Sequence, residues 1–100
     1  MFNKKSKIEL RRQLEQETFK RITCSFYRYI EVKNPEDFRN HLYEQFSHLN
    51  ILGRVYVARE GINAQISVPE HKWGIFEDYI NSETLLNGVK LKKAVQEGSS

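Results

Sequence analysis

One cysteine, Cys24, stands among the 100 residues, so no internal disulfide can form and a reducing compartment is the expectation. It lies in an apolar stretch, ITCSFYRYI, where a buried structural thiol is expected rather than a nucleophile. Long apolar runs are missing too. No segment approaches the roughly 20 residues a membrane-spanning helix needs. The charged N-terminus has no apolar region behind it of the kind a secretory signal carries. The chain therefore reads as cytoplasmic, with no membrane partner. Neither sign of charge dominates: 16 Lys and Arg face 13 Asp and Glu, for a net +3. That balance permits a nucleic-acid partner without requiring one. Repeats and low-complexity tracts are absent, as are HExxH, P-loop, GxGxxG and GxSxG motifs, which removes the commonest metalloprotease, nucleotide-binding and serine-hydrolase signatures.

The chain has enough apolar material for one small domain with a modest core, at 39% hydrophobic residues. Positive charge is concentrated early. From Met1 to Arg28 there are eight basic and three acidic residues, and the remainder is slightly acidic. Residues 1–20 read as a basic extension with a short helix, its thin apolar stripe made by Ile8, Leu10 and Leu14 and its start marked by a Ser6/Glu9 capping box.

The stretch GRVYVAREGINAQISV, Gly53 to Val68, carries the clearest pattern. Val55 and Val57 alternate with Arg54, Tyr56 and Ala58; Ile62, Ala64, Ile66 and Val68 alternate with Asn63, Gln65 and Ser67. Period two means two strands, each with one buried and one wet face. The spacing predicts a three-residue hairpin loop, Arg59-Glu60-Gly61, with Gly61 taking a positive φ. Upstream, Ile22 to Ile30 is rich in β-branched and aromatic residues and reads as a strand with Ile22, Cys24 and Phe26 inward and Thr23, Ser25, Tyr27 and Tyr29 outward. Asn34-Pro35-Glu36-Asp37 is a helix start, and Phe38, Leu42, Phe46 and Leu49 supply one apolar face up to a stop near Asn50. A further helix is expected from Pro69-Glu70 with Trp73, Phe76 and Ile80 inward, then a loop over Asn81 to Gly88. A last strand is expected over Val89 to Val95, with Val89 and Leu91 inward and Lys90 and Lys92 outward.

The resulting order is an N-terminal helix followed by β-α-β-β-α-β over residues 21–96, with a polar tail over 97–100. Two helices on one face of a four-stranded antiparallel sheet satisfy every apolar stripe, which is an α+β, ferredoxin-like (acylphosphatase-like) sandwich. Its other face is left open. With the first and third strands central, that face would gather Tyr27, Tyr29, Arg54, Tyr56, Asn63 and Gln65, with Lys90 and Lys92 at one flank. Aromatic rings can stack bases, amides can read base edges, and Arg or Lys can hold phosphates, so single-stranded RNA is one occupant this face suits. Tyr and Arg are equally typical of protein interfaces. A protein dock is the alternative, or a cover formed by the N-terminal helix or by a segment outside this sequence.

Other candidates carry less. His41 and His48 are seven apart on one helix without a cysteine or well-placed carboxylate as co-ligand, so solvated histidines are expected there and no metal site is assigned. Glu60 could act as a general base or bind a ribose hydroxyl. The glycine-flanked, arginine-bearing phosphate loop of acylphosphatases is absent from Glu31-Val32-Lys33-Asn34, which argues against acyl phosphate hydrolysis.

The run from Ile22 to Pro69, ITCSFYRYIEVKNPEDFRNHLYEQFSHLNILGRVYVAREGINAQISVP, resembles the N-terminal part of the bacterial rhodanese-domain tRNA uridine hydroxylases. The family's Gly-Arg-(Val/Ile)-Tyr-(Leu/Val/Ile)-Ala, any residue, Glu-Gly-Ile-Asn run maps onto Gly53, Arg54, Val55, Tyr56, Val57, Ala58, Glu60, Gly61, Ile62 and Asn63. Ser25-Phe26-Tyr27 matches as well, and the resemblance covers Ile22 to Val95. It implies an enzyme that places a hydroxyl on carbon five of a tRNA wobble uridine, with molecular oxygen as co-substrate and no metal signature in this stretch. It also implies a rhodanese-like domain beyond Ser100 holding a reactive cysteine, to which Cys24 is not equivalent. No catalytic residue is thereby assigned here. The expected partners are the anticodon region of tRNA and that C-terminal domain; the alternative is an interaction module whose open face docks on that rhodanese-like domain or on a second copy, with no direct RNA contact. Within this frame Tyr27, Arg54, Tyr56, Glu60 and Asn63 are the leading RNA contacts.

Overall fold

The computed structural model describes residues 7–95. In chain order these form α1 (Lys7–Gln16), β1 (Arg21–Tyr29), α2 (Pro35–His48), β2 (Leu52–Ala58) and β3 (Gly61–Pro69), then a 3-10 turn (Glu70–Lys72), α3 (Trp73–Ser82) and β4 (Lys92–Val95). The sheet is antiparallel with strand order β2-β3-β1-β4, so β1 and β3 are central. The architecture is the expected α+β ferredoxin-like one.

Alternation produces the layers. Phe26 pairs with Ala64, Cys24 with Ile66, Ile22 with Val68, and Val55 with Ala64. All seven side chains are buried, and partners opposite one another share a face. Against that face α2 contributes Leu42 and Phe46, and α3 contributes Phe76 and Ile80. The helices meet through rings, Phe46 to Phe76 at 5.9 Å and Phe46 to Tyr79 at 6.3 Å between centroids.

Helix α2 starts and stops for local reasons. The Asn34 side chain accepts from the Asp37 amide at 3.4 Å, and Pro35 occupies the first turn, where its missing N–H costs nothing. At the other end Asn50 takes a left-handed φ of 62°. The Asn50 amide then donates to Ser47 O and the Ile51 amide to Phe46 O. That is the Schellman pattern, closed by contact between buried Phe46 and Ile51.

Several boundaries depart from the expectations. The hairpin turn has two residues, Arg59 and Glu60, because Ala58 already pairs with Gly61. Gly61 does not take a positive φ. Glycine is needed there for closeness: a Cβ would lie 2.5 Å from the Arg28 carbonyl oxygen. The segment after Pro69 begins as a 3-10 turn and becomes α-helical only at Trp73. The last strand starts at Lys92 rather than Val89, because pairing to β1 extends only from Ser25 to Ile22. Val89 and Leu91 still pack against the core from the preceding loop. Ser6 and residues 97–100 lie outside the described residues, so the capping box and the tail are not described. The α1 stripe is not docked, as Ile8 is 65% exposed and Leu14 42%.

The chain is tied to the sheet just after α1. Arg21 forms a bidentate pair with Glu17 and also donates to the carbonyls of Asn50 and Ser67. Phe19 packs edge-on against His71.

Candidate nucleic-acid interface

The face of the sheet away from the helices is built by the same register that builds the core. Tyr27 pairs with Asn63 and Asn63 with Tyr56, so these three side chains form one row across β1, β3 and β2. The next row runs Lys92, Ser25, Gln65, Arg54 across all four strands. Tyr29 stands one step toward the hairpin end, opposite Gly61. The rings are accessible: Tyr27 is 59% exposed, Tyr56 62% and Tyr29 85%. Tyr27 and Tyr29 meet edge to face with centroids 5.8 Å apart. Neither helix of the sandwich nor α1 covers them.

All nine residues singled out from the sequence lie on this side or at its hairpin end. Ser25, Tyr27, Asn63, Gln65, Lys90 and Lys92 line one depression of about 700 Å³. Lys90 reaches it from the loop before β4 rather than from a strand. Lys93, which alternation sends to the helix side, sits with its Nζ 4.9 Å from the Trp73 ring centroid. Tyr27, Tyr29, Tyr56, Glu60 and Asn63 line a second cavity of about 740 Å³ at the hairpin end. Glu60 is exposed in the turn, and its carbonyl accepts from the Ile30 amide at 3.1 Å, which ties the tip of the hairpin to the end of β1.

Three polar cavity residues escaped the sequence reading: Arg28, Arg39 and Tyr43. Arg28 points to the helix side, donating to Leu85 O at 3.3 Å, and Arg39 comes from α2. Helical periodicity puts Arg39 beside the apolar stripe, between Phe38 and Leu42, where a flanking cation gives no signal of its own.

Other groups hold different roles. The Cys24 thiol is fully buried, and desolvation pushes it up to about 11, against a smaller opposing effect of Lys93. It is a core thiol, as the sequence predicts. His41 does have a carboxylate neighbour, Glu83, at 3.6 Å, which sequence distance conceals. The loop between β1 and α2 is no phosphate cradle: Val32 is buried in the core and its amide is spent on Arg59 O at 2.8 Å.

This is an acylphosphatase-type sandwich with an uncovered sheet face. The chain belongs to the family described as UPF0176 acylphosphatase like domain, which matches residues 21–100. It is similar to proteins named tRNA uridine(34) hydroxylase. The Leptospira interrogans protein is 43% identical over 90 residues, covering 90% of this chain and 24% of that protein. The Buchnera aphidicola protein is 44% identical over 96 residues, covering 95% and 30%. The protein from an Enterobacter species is 45% identical over 98 residues, covering 97% and 28%. The chain thus spans less than a third of the length of the curated relatives it matches.

Proposed function

We propose that this chain is the tRNA-contacting domain of an oxygen-dependent tRNA wobble-uridine 5-hydroxylase of the cytoplasm. The observation that carries the reading is the uncovered row Tyr27–Asn63–Tyr56, flanked by Arg54 and Lys92. Two exposed rings on strands either side of β3 offer stacking platforms for unpaired bases, and the Asn63 amide between them can read a base edge. The cations on either flank suit the phosphates of an anticodon loop. The names of the relatives supply the substrate class. The hydroxylation itself is assigned to a further rhodanese-like domain of the whole protein, so this chain alone should not hydroxylate tRNA.

The test is a gel-shift titration of the 100-residue chain with tRNA at several salt concentrations. Weak binding that falls steeply with salt is expected. Tyr56→Ala should weaken it roughly 5- to 140-fold, the range for losing one base–aromatic stack. No shift at the lowest salt would refute the reading and leave the face as a dock for protein, either another domain of the same chain or a second copy.

A further inference from the structure

We propose that Arg39 is a phosphate-binding residue of the RNA site, placed where a strand lying on the open face would turn around the outer edge of β2. The proposal rests on the tRNA reading above and adds a contact on the helix side of the sheet.

Three observations carry it. The cavity at the hairpin end is continuous from Tyr27, Tyr56 and Asn63 on the open face to Arg39 and Tyr43 on α2. Its volume of about 740 Å³ is in the range that holds a nucleotide-sized ligand. Next, the Arg39 Nε is buried and has no hydrogen-bond partner among the described residues. No carboxylate among the described residues forms an ion pair with Arg39, so its guanidinium keeps an uncompensated charge. Guanidinium is always protonated and its planar donors match two oxygens of a phosphate. Finally, one turn along α2 the Tyr43 hydroxyl donates to the Val55 carbonyl at 2.9 Å. That carbonyl belongs to the edge strand, and an added β-strand would need it. The edge is thus partly closed to a peptide strand, while Arg39 beside it stays available to an anion. Glu60, the acid lining the same cavity, disfavours a carboxylate ligand as much as a phosphate. The row of rings next to it favours the ligand that brings bases as well as charge.

The experiment is fluorescence anisotropy of a labelled anticodon stem-loop RNA with the 100-residue chain, from about 50 to 200 mM salt. Arg39→Gln should weaken binding roughly tenfold at low salt and reduce the slope of log K against log salt by about 0.7–0.9, one phosphate's worth. Arg39→Lys should keep the slope, because the charge remains, and lose part of the affinity. Tyr56→Ala should lose affinity at an unchanged slope, since stacking releases no counterions. Wild-type binding combined with an Arg39→Gln slope and affinity equal to wild type overturns the Arg39 assignment and leaves the tRNA reading standing. No wild-type binding overturns both. Should Arg39→Gln fail to fold, arginine modification of the unaltered chain by phenylglyoxal, read by mass spectrometry, decides the matter. Protection of Arg39 by the RNA is expected, and equal modification with and without RNA overturns the proposal.

Discussion

Replacing Glu17 by Ala tests how the segment after α1 is held to the sheet. The Arg21 guanidinium donates Nη2 to Glu17 Oε2 at 2.6 Å and Nε to Oε1 at 2.8 Å. Its Nη1 is shared between Asn50 O at 3.1 Å and Ser67 O at 3.0 Å. Both charged side chains are only 9% exposed. Truncating Glu17 removes two charge-assisted bonds and leaves a buried cation with two carbonyl partners and the Phe19 ring, 5.5 Å from its guanidinium carbon. Breaking a fully buried pair costs about 3–5 kcal/mol. Here two carbonyl bonds survive, which lowers the expected loss to about 2–3 kcal/mol. In a domain of this size that is roughly 8–24 °C in Tm. The assay is thermal melting by far-UV circular dichroism on wild type, Glu17→Ala, Arg21→Met and the double variant. The double variant should recover most of the loss, because no unpaired charge stays buried. A Glu17→Ala midpoint within about 2 °C of wild type, or a double variant no more stable than Glu17→Ala, would refute the reasoning.

Two further predictions concern the core and the hairpin. Cys24 should resist alkylation at pH 8 in the folded chain and react once denaturant opens it, because burial holds the thiol protonated. Its value is raised from 9.0 to about 11, so the folded state favours the neutral form; the stability this contributes is full below pH 9.0 and is lost as pH rises toward 11. Urea unfolding of Cys24→Ala alongside wild type across that window should show the wild type losing stability more steeply, and parallel curves would count against it. Gly61→Ala should destabilise by about 1–3 kcal/mol, since the added methyl would lie 2.5 Å from the Arg28 carbonyl oxygen. A urea midpoint equal to wild type would show that the β1–β3 backbones part without cost at that point.

Much of this domain could be read without coordinates. Period two in Ile22–Phe26 and Ile62–Val68, and the four-four-three spacing of Phe38, Leu42, Phe46 and Leu49, are local signals of which side of an element is dry. They were enough to place the core, the open face and the sandwich, because a single apolar face per element leaves few ways to bury them all. Asn34 and Pro35 announced α2, and their chemistry acts within one turn.

Other features depend on partners distant in sequence. Gly61 looked like a turn residue, yet its reason is the Arg28 carbonyl across the ladder. The length of β4 was set by where β1 ends its pairing, not by the alternation of Val89 to Val95. Arg21 reads as one more cation in a basic stretch until Asn50 and Ser67 close on it. Arg39 reads as a helix-flanking charge until the hairpin end brings its cavity to Tyr56. The amino-acid order by itself determined which faces are wet and which chemistry they bear, since side-chain direction follows from the local backbone period. Only the tertiary structure decided which of those groups meet in one row, and that the Arg39 Nε is buried without a hydrogen-bond partner among the described residues. Register and close approach are properties of pairs of segments that no single segment encodes.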